Sequence, residues 1–464
     1  MPKHISNFIN FKHGDLATLR KRLLKNLNEE SAAILIGKSE KNGELNFFNV
    51  FETKFASGAD YHDQSIAFLR LNKKFVYEIL FEITNRYDVD TIIDVHTHPF
   101  STDRVAFSGT DDNDERTFYK FLNDKFDGIN YGSIVLSREN YSARIWLTNE
   151  RQVIQKKALI RTQTAPENIH SSDIKKNNPS YKSQIQNITN NSHFYNRGVL
   201  ALGLDTMRQI MDGQSITLIG VGGIGSVLGE HLIHMGFNKL NLVDQDVLEE
   251  SNLNRFVGGY YNDAKNKSFK VDVVKNHLEN INPNVKIYSY RNKVQDKSIE
   301  QVIAQSNWVI FSTDNHYSRF ETQRICFKYF VPFISVGVNI TVVDEIIKDM
   351  SGEVIIVRMG DRVCLNCLGR INPTQIAFEE HTEKEIKENL VSKGYVTGKH
   401  IKEPAVKTLN TMLSTIAVDM LINQYTERQP HTPILVYENN SSVSIYSDSE
   451  SVSNRNMNCH VCGF

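Results

Sequence analysis

The chain lacks most features that would settle its class at a glance. Five cysteines in 464 residues are too few for the disulfide framework of a secreted domain. No run reaches the ~18 apolar residues that a membrane-spanning helix needs. The start, Met1-Pro2-Lys3-His4-Ile5-Ser6, leads into no apolar stretch of the kind that directs secretion. These absences predict a cytoplasmic protein with no membrane role. Net charge is missing too: 53 Lys and Arg meet 54 Asp and Glu, for a formal charge of -1. Without a broad basic field, nucleic acid is not an expected partner. No internal repeat or low-complexity tract is visible. Length is the one generous quantity, and at ~100–200 residues per domain it predicts two to four domains.

Four of the cysteines stand in two pairs, Cys364-Leu365-Asn366-Cys367 and Cys459-His460-Val461-Cys462. Paired C-x-x-C in a cytosolic chain points to zinc rather than to disulfides. Cys326 lies in a helical pattern, Tyr317 to Tyr329, between Ile325 and Phe327, and reads as a core thiol.

The patterning predicts a first domain over residues 1–150, a linker over 151–191 and a second domain over 192–464. In the first, Asp15 to Asn28 reads as an amphipathic helix, and Ala32 to Ile36 as a buried strand stopped by Gly37. Asn46 to Phe55 is another strand, and Lys73 to Tyr87 has helical spacing through Phe75, Ile79, Leu80 and Ile83. Thr91 to Val95 is a buried strand that delivers His96. Ile134 to Leu136 and Ala143 to Leu147 read as a closing hairpin. Lys, Asn, Gln and Ser crowd Lys175 to Asn191, where apolar periodicity fades. Beyond 192, strands at Ile216–Ile219, Lys239–Val243, Trp308–Phe311 and Phe333–Val336 alternate with helical patterns such as Ser226–Met235, which implies a mostly parallel sheet.

Two motifs carry chemistry. The first is Gly220-Val221-Gly222-Gly223-Ile224-Gly225 between strand and helix. Its glycines let backbone approach phosphate, and the helix start supplies N–H groups and positive dipole. Asp244, at the end of the next strand, suits a ribose hydroxyl. Alone, this fits a dinucleotide site as well as an ATP site. The run Asp244-Gln245-Asp246-Val247-Leu248-Glu249-Glu250-Ser251-Asn252-Leu253-Asn254-Arg255 decides it. It closely resembles the D-x-D-x-V-x-x-S-N-L-x-R block of the ThiF/MoeB and ubiquitin-activating-enzyme superfamily. Lys270, which opens a helix, Ser312-Thr313-Asp314-Asn315 and Phe194-Tyr195-Asn196-Arg197 match further family segments, so the resemblance covers residues 192–464.

The resemblance implies a Rossmann-like adenylation domain that spends ATP on a carboxylate. Arg255 and Lys270 would hold the phosphates with support from Asn252. Asp314 would bind magnesium, and Asp246 would support from behind. Arg197 would reach into the partner's site of a homodimer, in the manner of an arginine finger. The two cysteine pairs would clamp one structural zinc, a closed thiolate site. Many members carry a further cysteine that takes the activated carboxylate as a thioester. No cysteine lies between Cys367 and Cys459, so transfer straight to a partner's cysteine or to an amine is expected.

The second motif is His96-Thr97-His98-Pro99 followed by Ser108 and Asp111. Two histidines one residue apart on a strand leave it on the same face. With an acidic residue they make a three-ligand catalytic site with an open position. The segment closely resembles the JAMM (JAB/MPN-plus) metalloprotease signature, over residues 10–150. The stretch from Pro99 to Ser108 is slightly long, which leaves Asp112 as an alternative to Asp111. By the same resemblance, Glu30 is the general base, with Glu29 as alternative, and Ser108 donates to the developing oxyanion. His4, His13, His62 and His193 read as surface residues.

The expected fold is therefore α/β: an α+β JAB-type, deaminase-like sheet domain, then a Rossmann-like ThiF-type domain with a four-cysteine zinc site. The expected function is a two-module enzyme of a prokaryotic ubiquitin-like pathway, resembling components of conjugation and defence loci. One module cleaves at the C-terminal tail of a ubiquitin-like protein, and the other adenylates the exposed carboxylate. Catalytic and structural zinc, ATP and magnesium are the expected cofactors. A conjugating-enzyme-like protein with an acceptor cysteine is an expected partner. The alternative is activation of a sulfur-carrier protein or a ribosomal peptide in small-molecule biosynthesis. A non-enzymatic scaffold binding such tails is the third reading.

Overall fold

The run Ala32-Ala33-Ile34-Leu35-Ile36 becomes a buried strand because helices cover both of its faces. In the computed structural model, Ala33 and Leu35 pack with Leu16, Leu19 and Leu23 on one side. Ile34 and Ile36 pack with Ile79, Leu80, Ile83, Tyr119 and Leu122 on the other. The structure describes residues 6–66, 69–102, 105–126, 128–149, 152–163, 170–171, 193–211, 214–380 and 404–462. The chain divides into two units, Met1–Ile188 and Thr189–Phe464.

In the first unit the strands are β1 (Asn7–Asn10), β2 (Ala32–Asn42), β3 (Leu45–Phe55), β4 (Tyr61–Gln64), β5 (Leu69–Leu71), β6 (Thr91–Thr97), β7 (Asn130–Leu136), β8 (Asn140–Asn149), β9 (Gln152–Lys157), β10 (Leu159–Arg161) and β11 (His170–Ser171). The main sheet runs β10-β1-β3-β2-β6-β7-β8-β11, with β9 on β8 and β4-β5 as a separate pair. Helix α1 (Asp15–Leu23) covers one face; α2 (Lys73–Thr84) and α3 (Gly109–Lys125) cover the other.

Four readings of the sequence are corrected here. Gly37 does not stop β2: the strand runs through it with a register shift between Ile36 and Gly37. A Cβ on Gly37 would lie 2.1 Å from the Asn49 carbonyl oxygen, so the glycine marks a bulge with a close approach of backbones. Helix α1 ends at Leu23 rather than Asn28 because Asn26 turns back on the chain, accepting from the Asn28 N–H at 3.0 Å and donating to Glu29; such local bonds compete with helix. Helix α2 ends at Thr84, where the Asn85 side chain takes the Phe81 carbonyl at 2.7 Å. The expected linker from 151 instead supplies β9, β10 and β11. All three are short strands, and β9, Gln152-Val153-Ile154-Gln155-Lys156-Lys157, is largely exposed, so it carries little apolar alternation. Lys175–Asn191 lies outside the described residues.

In the second unit the strands are β12 (Ser215–Ile219), β13 (Lys239–Val243), β14 (Lys286–Tyr290), β15 (Trp308–Phe311), β16 (Phe333–Val343), β17 (Ile346–Val357), β18 (Ile434–Asn439) and β19 (Val443–Ser447). Their order is β14-β13-β12-β15-β16-β17-β18-β19. The first five are parallel and the rest antiparallel. The helices that matter for the site are α4 (Asn196–Leu202), α5 (Gly225–His234), α6 (Lys270–Ile281), α7 (His316–Lys328) and α8 (Lys407–Thr426). From β12 the chain moves outward to β13 and β14, then returns to β15 on the other side. Ligands of open parallel sheets bind at the carboxyl ends of strands at such a switch point.

Candidate functional site

Three neighbouring strand ends build the second unit's site. β12 is followed directly by Gly220, β13 by Asp244 and β15 by Ser312-Thr313-Asp314. The Gly220 N–H donates to the Val243 carbonyl at 3.0 Å, and Ser312 Oγ donates to the Gly220 carbonyl at 3.2 Å. Gly220 has φ 83°, and a Cβ on Gly225 would sit 2.0 Å from the Gly220 oxygen. The turn therefore closes only with glycine at these places. By contrast, nothing lies within 4 Å of a Cβ on Gly222, which is the open side of the turn. Gly225→Ala is expected to lower the unit's unfolding free energy by at least ~3 kcal/mol through overpacking. Gly222→Ala is expected to leave it within ~0.5 kcal/mol. Denaturant melts of the two variants check the contrast.

The expected binding residues gather here unequally. Gly223 is wedged: its Cβ would meet Arg255 Cγ at 3.0 Å and Asn410 Nδ2 at 2.6 Å. Arg255 donates to the Ser251 carbonyl at 2.9 Å and to Asn254 at 3.0 Å. Asp244 accepts from the Val221 N–H at 2.7 Å and from the Asp246 N–H at 2.8 Å. Burial raises its pKa, with Lys270 opposing. Lys270, the first residue of α6, pairs with Asp246 at 2.8 Å. Asn252 spends its amide oxygen on the Glu249 N–H at 3.1 Å, within its own turn. Asp314 is exposed, one residue before Asn315, which caps α7 through the Ser318 N–H at 2.7 Å. Arg197 is exposed on α4, anchored by the Tyr195 hydroxyl, which lies 2.9 Å from both the Ile233 carbonyl and Asn238 Oδ1.

Cys364, Cys367, Cys459 and Cys462 bring their sulfurs within 4.8 Å of one another. Gln323 on α7 fixes the first pair, accepting from the Leu365 N–H at 2.7 Å and donating to Asn366 at 2.6 Å. Four thiols at that spacing fit one zinc ion. Cys326 is fully buried, and burial pushes its thiol well above the ordinary range.

In the first unit, β6 delivers His96 and His98, and Ser108 caps α3. The ligand atoms of His96, His98 and Asp111 also lie within 4.8 Å of one another. His96 Nε2 is buried with no hydrogen-bond partner and stands 3.6 Å from Asp111 Oδ1. The other Asp111 oxygen accepts from the Ser108 N–H at 2.6 Å, and the Ser108 hydroxyl accepts from the Asp111 N–H at 3.1 Å. Glu30 Oε1 is 3.8 Å from His98 Nε2, while Glu29 is occupied by Asn26. Asp112, the alternative ligand, is paired with Arg144. Burial lifts the Glu30 pKa to about 7, with His96 opposing and Asp111 adding. Burial, then the charge of His96, drops His98 to about 4. Burial also works against the Asp111 charge, but His96 and Ser108 outweigh it and hold the carboxyl below the usual range. Two imidazoles and a carboxylate converging on one point, with one ring nitrogen orphaned, are the donor set of a divalent metal.

The sequence reading missed what lies behind His96. Glu115 and Arg144 are 4% and 5% exposed. Glu115 accepts from Trp146 Nε1 at 2.7 Å and from Arg144 Nε at 2.8 Å. Asp94 accepts from the Tyr131 hydroxyl at 3.0 Å; burial and then Glu115 raise its pKa to about 8. One signal was available: an arginine inside the apolar run Ala143-Arg144-Ile145-Trp146. Of the four histidines read as surface residues, His62 is exposed, and His4 lies outside the described residues.

Comparison with known proteins now bears on the second unit. Molybdopterin-synthase adenylyltransferase of Escherichia coli (strain K12) is 28% identical over 179 residues, 38% of this chain and 68% of that protein. SUMO-activating enzyme subunit 2 of Dictyostelium discoideum is 28% identical over 190 residues, 40% of this chain but only 26% of that protein. tRNA threonylcarbamoyladenosine dehydratase of Bacillus subtilis (strain 168) is 26% identical over 144 residues, 31% of this chain and 56% of that protein. Among solved structures, E. coli MccB with ATP gives a TM-score of 0.46 at 17% identity, over 63% of this chain and 83% of that one, too low a score to carry an argument. Residues 195–461 match the ThiF family; that is more than half of the chain, which belongs to this family and carries a ThiF-type adenylyltransferase domain as its second unit.

Proposed function

We propose that the second unit uses ATP to adenylate the C-terminal carboxylate of a small protein or peptide, and that the first unit is a zinc hydrolase acting on such a tail. The observation that carries the first half is the meeting of three strand ends at the glycine turn, with Arg255 packed against Gly223. Adenylation expels pyrophosphate, so positive charge must meet the triphosphate. Arg255 and Lys270 supply it, the turn and the start of α5 offer N–H groups, and Asp244 takes the ribose. Asp314 is the carboxylate for magnesium, which favours oxygen ligands. Arg197, exposed on α4, reaches a second copy in a homodimer. Every cysteine is either buried in a helix or in the four-sulfur cluster. The acyl-adenylate therefore passes to a nucleophile outside this chain.

For the first unit, the orphaned His96 Nε2 and the converging Asp111 and His98 support a resident metal. Zinc held there would supply a Lewis acid. Glu30, with its pKa near neutrality, accepts a proton from the attacking water. Ser108 accepts from the Asp111 N–H and keeps its own proton to donate to an oxyanion.

The test is the intact mass of a ubiquitin-fold protein carrying a short C-terminal extension, after incubation with the chain, zinc, magnesium and ATP. Loss of the extension followed by an AMP adduct is the expected result. An adduct without trimming would remove the hydrolase half. A sulfur-carrier or peptide substrate, suggested by the molybdopterin-synthase relative, would show the adduct only on that substrate.

A further inference from the structure

We infer that Arg144 is a positioning residue for the metal site of the first unit: it sets the rotation of α3 about its axis so that Asp111, and not Asp112, faces the histidines. The inference rests on the proposed metal at His96, His98 and Asp111.

Asp111, Asp112 and Glu115 lie on adjoining sides of the first turns of α3. A carboxylate at position 111 is useful only if the helix is turned to aim it at β6. Arg144, on β8, grips the other two. It bonds Asp112 through Nη1 and Glu115 Oε2 through Nε at 2.8 Å. Its Nη2 stands 2.8 Å from Glu115 Oε1 as an ion pair, off the line of a hydrogen bond. Asp112 and Glu115 are three residues apart and so share a face. Holding both leaves the helix little freedom to roll. Glu115 is anchored in turn by Ser133 Oγ at 2.5 Å and Trp146 Nε1 at 2.7 Å. The same guanidinium stacks on Phe107, 3.6 Å from its centroid. The Phe107 ring meets the edge of His96 at 6.2 Å. One side chain thus braces a ligand-bearing helix and a ring packed on a ligand-bearing imidazole. A planar fork with fixed donors suits this role, and a lysine does not.

Residues behind the ligands of a metal site typically change affinity by about 10–100-fold when removed. The measurement is cobalt(II) binding to the full chain. Thiolate charge-transfer absorption reports the cysteine cluster, and the weaker nitrogen–oxygen ligand-field bands report the first-unit site. Wild type is expected to fill both, and His96→Ala only the cysteine cluster. Arg144→Gln is expected to weaken the first-unit site by at least about tenfold and leave the thiolate bands unchanged. Because Arg144→Gln strands the buried Glu115 carboxylate, the double variant Glu115→Gln, Arg144→Met is measured beside it. It removes both charges and keeps the volume. A folded double variant with weakened cobalt binding supports the positioning role. Wild-type affinity in the double variant would overturn it while leaving the metal reading intact. A wild-type spectrum with thiolate bands only, indistinguishable from His96→Ala, would sink the metal reading itself.

Discussion

Arg255→Ala is expected to lower carboxylate-dependent ATP–pyrophosphate exchange by about 100-fold or more, the cost of losing one fixed charge at a developing anion. Arg255 sits against Gly223 with its Cγ and Cδ 3.0 and 3.1 Å from where a Cβ would stand, so its side chain lies along the glycine turn. Its hydrogen-bond partners are neutral, the Ser251 carbonyl and Asn254. Lys270, by contrast, is paired with Asp246, which offsets part of its charge. Lys270→Ala should therefore cost less than Arg255→Ala. Arg255→Lys tests geometry against charge: a compact ammonium cannot reproduce the fork, so most of the loss should remain. Equal exchange in Arg255→Ala and wild type would show that the triphosphate lies elsewhere.

Cys459→Ser is expected to release the metal from the cysteine cluster and loosen the segments it ties together. Structural zinc in small fingers binds with an apparent free energy of about 10 kcal/mol or more, which folding loses when the ligand set is broken. Here the parallel sheet has its own core, with Leu218, Leu242, Ile310 and Ile334 almost fully buried. The loss should therefore be local. The Cys364–Cys367 turn and the short helix Ser449–Ser453, joined through the Cys364–Cys459 contact at 3.5 Å, should become cleavable by protease. The β12–β15 core should resist. Zinc content per chain should fall, and a chelator should reproduce the pattern in wild type. Full zinc content in Cys459→Ser would rule out the four-thiolate site.

The second unit was the more legible in sequence because its chemistry is local. Glycines, Asp244 and Arg255 lie within one strand–turn–helix–strand stretch, and a parallel sheet carries them to neighbouring strand ends. Lys239–Val243 and Trp308–Phe311 have the bounds the sequence suggested, since fully buried parallel strands read as continuous apolar runs. The first unit hid more. Its strands β9 to β11 are short, β9 is largely exposed, and β1 pairs with residues about 150 positions away, Phe8 with Leu159. No local pattern encodes such a pairing. The Arg144–Glu115 pair was hidden for the same reason, being 29 residues apart and meaningful only once α3 packs on β8. Asn410 at Gly223 joins residues nearly 190 positions apart and was equally out of reach.

The most direct test of the account is ATP–pyrophosphate exchange with a panel of ubiquitin-fold proteins and short peptides, each made with a free and an amidated C-terminus. Adenylation of a tail carboxylate predicts exchange with at least one free carboxylate, none with its amide, and exchange lowered by about 100-fold or more with Arg255→Ala. Exchange that ignores the state of the C-terminus would contradict adenylation of a tail carboxylate as the reaction of this site.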